Sequence, residues 1–289
     1  MTKRTKMGYE EDLDAVFNIA VQAAKSAGEH MKANIGHAVE KTKSSKDDLV
    51  TIVDKQCQEM VESAIKEAFP THAFLGEEDV APGSEASCAA LEKAIGEEWL
   101  WICDPIDGTT NFVHHRPASV VSIAAAYQGT VVVGVIYDPY RDECFTAKKG
   151  QGAHLNLKDM TISKEPSISE AIIGFGIGTK ASVRLPMLRC VSLFTEECRG
   201  IRLQGSAALE LAWVSCGRQT AFYELDLNSW DVAAGILLVK EAGGRVVDSE
   251  GKEVTLRSRH VVACNASQGI QTSILQSIAS ASACTPQNI

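Results

Sequence analysis

Trp99-Leu100-Trp101-Ile102-Cys103-Asp104-Pro105-Ile106-Asp107-Gly108-Thr109-Thr110-Asn111-Phe112 is the stretch on which the fold turns. Its apolar start, 99–103, reads as a buried strand, and the strand runs into two carboxylates separated by two residues. Carboxylates so close repel unless positive charge stands between them. Hard oxygen donors at the mouth of a sheet suit a divalent cation such as Mg²⁺ or Mn²⁺. Gly108-Thr109-Thr110-Asn111 follows at once and offers amides and hydroxyls, the makings of an anion cradle. Metal beside phosphate is the combined reading. In the plainer alternative, Asp104 and Asp107 only cap the amides of a turn stiffened by Pro105.

Upstream, Leu13, Val16, Phe17, Ala20, Ala24, Ala27 and Met31 recur at helical spacing and predict a helix over about 10–34. Cys57, Met60, Val61, Ala64, Ile65 and Ala68 predict a second over about 54–69, stopped by Pro70. Between them, 41–48 is polar and reads as a loop. The two helices are expected to pack as an antiparallel pair over a sheet. Residues 73–76 read as a short strand, and 80–98 as a loop with a short helix. Strands are predicted at 99–103, 119–127, 130–137 and 143–147, closely spaced and so antiparallel. The second half alternates: strand 172–175, helix 183–198, strand 200–203, helix 206–216, strand 219–223, helix 230–242, then strands 245–248 and 260–263. Alternation implies an α/β layer with a partly parallel sheet. The fold class is thus α/β, with an α+β N-terminal half (1–155) and an α/β C-terminal half (156–289) that share an extensive interface.

Other acids stand in suggestive places. Glu77-Glu78 follows the strand at 73–76, Glu224 follows the strand at 219–223, and Asp231 opens an apolar helix, where it can also serve the helix dipole. Gly205-Ser206-Ala207 opens another helix, with Ser206 as a natural N-cap. Each has a structural reading beside the functional one, and only the fold brings them together. Lys43 reads equally as a solvated loop lysine, and His114-His115 as structural. The spacing of Asp104 and Asp107 disfavours an aspartyl-phosphate mechanism of the haloacid-dehalogenase kind, whose two aspartates are separated by one residue.

The 289 residues carry 45% hydrophobic and 22% charged side chains, enough for a sizeable core. A net charge of −9 argues against general binding to nucleic acid or to anionic membranes. The nine cysteines form no Cys-x-x-Cys pair and read as reduced, mostly buried thiols of an intracellular, cytoplasmic chain rather than as a zinc site. No apolar run reaches membrane-helix length, and the basic N-terminus lacks the apolar stretch of a secretory signal.

The chain resembles the inositol monophosphatase family of metal-dependent, lithium-sensitive phosphatases. The matching segments are Lys43-Ser44-Ser45, Asp48-Leu49-Val50-Thr51 with Asp54, Gly76-Glu77-Glu78, Asp104 to His114, Gly205-Ser206-Ala207-Ala208, Trp230 to Gly235 and Glu241-Ala242-Gly243-Gly244, in family order and across nearly the whole chain. The resemblance implies a layered αβαβα sandwich of the sugar-phosphatase type and a homodimer. It implies two to three Mg²⁺ (or Mn²⁺) per subunit. Glu77, Asp104 and the Ile106 carbonyl would ligate the first, and Asp104, Asp107 and Asp231 the second; a third, weaker one would lie near Glu77. Gly108 and Thr109 amides would hold phosphate. Gly205, Ser206, Ala207, Glu224 and Asp231 would line the polyol ring. Asp54 would hydrogen-bond the Thr109 hydroxyl, and Lys43 would lie over the metals. Arg116 departs from relatives, which commonly carry Phe there. The implied reaction is direct hydrolysis of a small phosphorylated polyol, inositol 1-phosphate first, by a metal-activated water that Glu77 and Thr109 orient. Histidinol phosphate, galactose 1-phosphate and a nucleoside bisphosphate are alternative esters. A regulatory binding protein that keeps the fold is the alternative from another class.

Overall fold

Strand β4 (Trp99–Asp107) is buried along its whole length because helices cover both faces of its sheet. The computed structural model describes residues 3–36, 39–42, 49–178 and 181–283. Along β4 the side chains alternate. Trp99, Trp101 and Cys103 pack with α1 (Lys3–Ala33) and α2 (Ile52–Ala68), while Leu100 and Ile102 pack with α6 (Ala207–Ser215) and α7 (Ser229–Glu241). A strand buried on both faces reads as an unbroken apolar run.

The sheet has seven strands in chain order: β3 (Ala73–Gly76), β4, β5 (Val120–Tyr127), β6 (Thr130–Asp138), β7 (Glu143–Lys148), β8 (Ala153–Leu155) and β9 (Lys158–Asp159). Every neighbouring pair is antiparallel except β3–β4. That parallel pair is joined across α3 (Ser84–Ala94), and it sets the C-terminal end of β3 beside the middle of β4: Gly76 is opposite Cys103. Glu77 therefore emerges beside Asp104.

A second sheet runs β11 (Gly200–Arg202), β10 (Ile172–Phe175), β12 (Ala221–Glu224), β14 (Val261–Cys264), β13 (Arg245–Val247). β10 is parallel to both of its neighbours and the remaining pairs are antiparallel, so the sheet is partly parallel as expected. Phe222, Val261 and Ala263 face α6 and α7, whereas Tyr223, Val262 and Cys264 face α5 (Ala181–Glu197) and α8 (Gln268–Ala283). Four apolar seams thus hold five layers, helix–sheet–helix–sheet–helix. The middle helices touch both sheets. At Gly134 of β6 the approach is so close that an added Cβ would lie 2.8 Å from the Ala234 carbonyl of α7.

Several elements differ from the sequence reading. α1 starts at Lys3, well before residue 10. α2 starts at Ile52, because Thr51 and Asp54 form a reciprocal capping box at its N-terminus. β1 (Val39–Thr42) pairs antiparallel with β2 (Leu49–Thr51), so 41 and 42 of the expected 41–48 loop belong to a strand, and 43–48 lie outside the described residues. β4 does not stop at Cys103 but carries both aspartates within it, and a short helix, α4 (Thr109–Val113), follows. α8 was missed, although Ile270, Ile274, Ile278 and Ala281 bury one helical face.

Candidate active site

A local irregularity aims the two aspartates. In a regular strand residues three apart face opposite sides of the sheet. Here Asp104 is opposite Ser122 and Asp107 is opposite Val120, three steps against two, so β4 holds one extra residue. Pro105, with no N–H to give the ladder, sits in this bulge. The bulge restores both aspartates to the inner face. Asp104 follows the Leu100–Ile102 side, and Asp107 touches α6; Ile106 turns the other way, into the core under α1 and α2. Asp104 also caps the turn, its Oδ1 accepting from Ile106 N at 3.0 Å. The plain reading of the tetrapeptide, an aspartate capping a turn amide, is thus met at Asp104.

Helix N-termini fix the acids. Asp107 Oδ2 accepts from the Ser206 hydroxyl and the Ala208 amide, both at 2.6 Å, at the start of α6. Ser206 is itself the N-cap, its Oγ accepting from Leu209 N. Asp231 is the third residue of α7 and accepts the Asn228 amide at 2.6 Å. Asp54 holds the same position in α2 and accepts the Thr51 amide at 2.8 Å. The positive end of a helix favours each ionised form. Thr109 Oγ1 lies 3.3 Å from Asp54 Oδ1 and 3.1 Å from the Ile106 carbonyl, donating to either.

The chain's two halves meet at Gly108. Its φ of +94° is left-handed, and an added Cβ would lie 3.1 Å from the Gly205 carbonyl. Asn111 ties the junction, its Nδ2 donating to Ala118 O and to Gln204 O, each at 2.7 Å. Gly108-Thr109 and Gly205-Ser206 are thereby neighbours. Arg116 reaches the same loop, bonding Leu203 O at 3.4 Å. His115 packs its ring on Gly36, a structural role. Lys43 and Asp48 lie outside the described residues.

Glu77 opens a 3-10 turn, Glu77–Asp79, anchored where Gln58 Oε1 accepts the Glu78 amide at 2.9 Å. Glu77, Glu224 and Asp231 line one cavity of about 230 Å³, whose far wall is Pro82–Ser84 and Ile177–Gly178. The acids feel one another. Burial lifts Asp107 to about 6 even against its bonds from Ser206 and Ala208, and Glu77 pushes the same way. Burial first, and then Asp107 and Glu77, push Asp231 well above the carboxylate range. Glu224 rises by burial and by the charges of Asp231, Asp107 and Glu210. Glu210 was not foreseen. It is buried in α6, accepts from Gln204 N at 2.8 Å and from Gln219 Nε2 at 2.5 Å, and is raised by burial to about 7. Its signal in the sequence is one acid inside the otherwise apolar run Ala207–Val214.

Such a cluster fits a divalent cation by its chemistry: hard oxygen donors whose burial and mutual repulsion a positive ion relieves. Among the described residues no three His, Cys, Asp or Glu side chains are grouped closely enough to hold a metal ion as they stand.

A sequence model of the inositol monophosphatase family matches residues 12–283. The chain is 40% identical over 262 residues to inositol monophosphatase 2 of Solanum lycopersicum, covering 88% of this chain and 95% of that protein. It is 39% identical over 259 residues to Nus factor SuhB of Pseudomonas aeruginosa, covering 88% and 92%. The crystal structure of the extragenic suppressor protein SuhB from Bartonella henselae superposes with a TM-score of 0.81 at 34% identity, covering 95% of this chain and all of that one.

The raised acids fix the sign of a pH effect. In metal-free protein Asp107 (about 6) and Glu210 (about 7) bind protons more tightly folded than unfolded. The stability they contribute is present below the ordinary carboxylate range and is lost as pH rises through about 6 to 7. The melting temperature in chelator should fall across that window, and Glu210→Gln should flatten the fall. A slope identical in the variant would contradict the assignment.

Proposed function

Because the chain belongs to the inositol monophosphatase family and is a phosphatase, we propose that its substrate is inositol 1-phosphate or a close myo-inositol monophosphate, with Mg²⁺ as cofactor. The supporting observation is the bulge that turns Asp104 and Asp107 to one face, next to the cavity of Glu77, Asp231 and Glu224. Glu77, Asp104 and the Ile106 carbonyl are proposed to hold one Mg²⁺, and Asp104, Asp107 and Asp231 a second; a third, weaker one is proposed near Glu77. Bound there, the cations supply charge neutralisation at phosphate and leaving oxygen and lower the pKa of the attacking water.

The chain's own residues do the rest. Gly108 and Thr109 present amides to the phosphate. Glu77 and Thr109 orient the attacking water, whose proton goes to the Glu77 carboxylate or, relayed through the Thr109 hydroxyl, to the Asp54 carboxylate that this hydroxyl donates to. Glu224, Asp231 and the Gly205-Ser206-Ala207 turn meet the polyol, where a carboxylate can accept bonds from ring hydroxyls. Lys43 is proposed to act above the metals. Attack is direct, and no residue is phosphorylated. Inhibition by Li⁺ at the second metal position belongs to the same proposal. So does residence in the cytoplasm, on the strength of the eight described cysteines, all unpaired. The relative named Nus factor SuhB favours a second reading, a binding role on the same fold beside catalysis.

Phosphate release from inositol 1-phosphate, galactose 1-phosphate, histidinol phosphate and a nucleoside bisphosphate, with Mg²⁺ present or chelated and Li⁺ titrated in, tests the assignment. Inositol 1-phosphate should lead and chelation should abolish release. Asp104→Asn should lower hydrolysis roughly 100-fold or more while the protein stays folded, with any partner binding preserved. Inositol 1-phosphate among the poorest esters would overturn the substrate, and an active Asp104→Asn would overturn the metal site. A homodimer is proposed over α5, where Leu185, Leu188 and Leu193 stand exposed. Sedimentation velocity should report twice the single-chain mass, and the single mass would refute it.

A further inference from the structure

Arg259 stands just before β14 and lines the cavity that Glu77, Glu224 and Asp231 share. A guanidinium carries five N–H donors and no acceptor. All five are engaged. Nε and Nη2 donate to Asp226 Oδ1 at 3.0 and 2.8 Å, and Nη2 also to Asp226 O at 3.1 Å. Nη1 donates to Asn228 Oδ1 at 2.9 Å and to Ser87 Oγ at 3.0 Å. With no donor left over, the side chain is a clamp on the cavity wall rather than a group that binds ligand.

The clamp gathers segments far apart in sequence. Ser87 lies on α3 and donates onward to Ser84 O at 3.0 Å, beside the Pro82–Ser84 wall of the cavity. Asp226 and Asn228 belong to the loop that leads into α7, and Leu227 N donates to Arg259 O at 2.8 Å. Asp226 has φ +65°, a left-handed conformation that non-glycine residues keep only where their surroundings enforce it. The fork of Arg259 on its carboxylate supplies that enforcement. Asn228 is the N-cap of α7, and its amide donates to Asp231 Oδ2 at 2.6 Å. Arg259 therefore holds the Asn228 side chain, and the Asn228 main chain holds Asp231.

We infer that Arg259 is the positioning residue of Asp231: by fixing Asp226 and Asn228 it sets the angle at which the α7 carboxylate meets a divalent cation. This rests on the proposal that Asp231 is a cation ligand. Charge alone gives the opposite sign. Arg259 is close enough to favour the ionised Asp231, and its positive charge opposes an arriving cation. Deleting the charge would strengthen cation binding if electrostatics governed; losing the clamp weakens it.

Calorimetric titration of the metal-stripped chain with Mn²⁺ separates these. Arg259→Lys keeps the charge and loses the fork. Arg259→Met loses both. Each should weaken Mn²⁺ binding about tenfold, the lower end of what losing a partner behind a metal ligand costs, with melting temperature shifted by only a few degrees. Asn228→Ala should weaken it similarly, and adding Arg259→Met to it should change little more, because both act through one link. Unchanged or tighter binding in both Arg259 variants, with Asp231→Asn weakened, overturns the clamp. Binding unchanged in Asp231→Asn overturns the underlying ligand assignment instead. If the Arg259 variants unfold, Asp226→Asn weakens the same fork from its other end and is read against the same outcomes.

Discussion

Asp107 makes the contact on which the rest depends. It leaves the end of β4, a strand of the first sheet, and caps the start of α6, a helix from the second half of the chain, through the Ser206 hydroxyl and the Ala208 amide. One buried carboxylate thus joins the halves and stands among the acids at the same time. The helix end favours its charge, and burial with Glu77 opposes it. Asn111 repeats the join a turn later with two carbonyls, one from each side. These contacts tie Gly108-Thr109 to Gly205-Ser206 where α6 and α7 pack on the first sheet.

The cluster follows one design repeated at separate places. Asp54, Asp107 and Asp231 come from distant parts of the sequence, yet each accepts a backbone amide at a helix N-terminus. A carboxylate held this way keeps its geometry while its environment resists its charge. For Asp107 and Asp231 that resistance comes from burial, and a divalent cation bound beside them would relieve it. Packing supports the aim: α7 rests directly on β6 at Gly134, which fixes the helix whose first turn carries Asp231.

Much of this was legible in the residues. Strands buried on both faces announce themselves as apolar runs, and the central strands were found for that reason. The paired helices showed their period. The Asp-Pro-Ile-Asp-Gly-Thr block, with the segments around it, pointed to the family whose model matches residues 12–283. What stayed hidden depends on register or on distant partners. The bulge at Pro105 adds a residue that periodicity cannot count, and the reading stopped β4 at Cys103. Asp54 starts α2 through a box with Thr51, which the apolar pattern does not report. Glu210 looked like one acid in a helix, and its partners Gln204 and Gln219 are joined to it only in space. Arg259 gave no sign at all, since its four acceptor atoms come from α3 and from the loop before α7, both distant in sequence.

Anomalous diffraction from crystals grown in Mn²⁺ bears most directly on whether these carboxylates form one cation site. The expected result is ordered Mn²⁺ about 2 Å from oxygens of Asp104, Asp107 and Asp231, with Glu77 facing a second ion across Asp104. Ordered Mn²⁺ elsewhere, or none with all four acids in place, would contradict it.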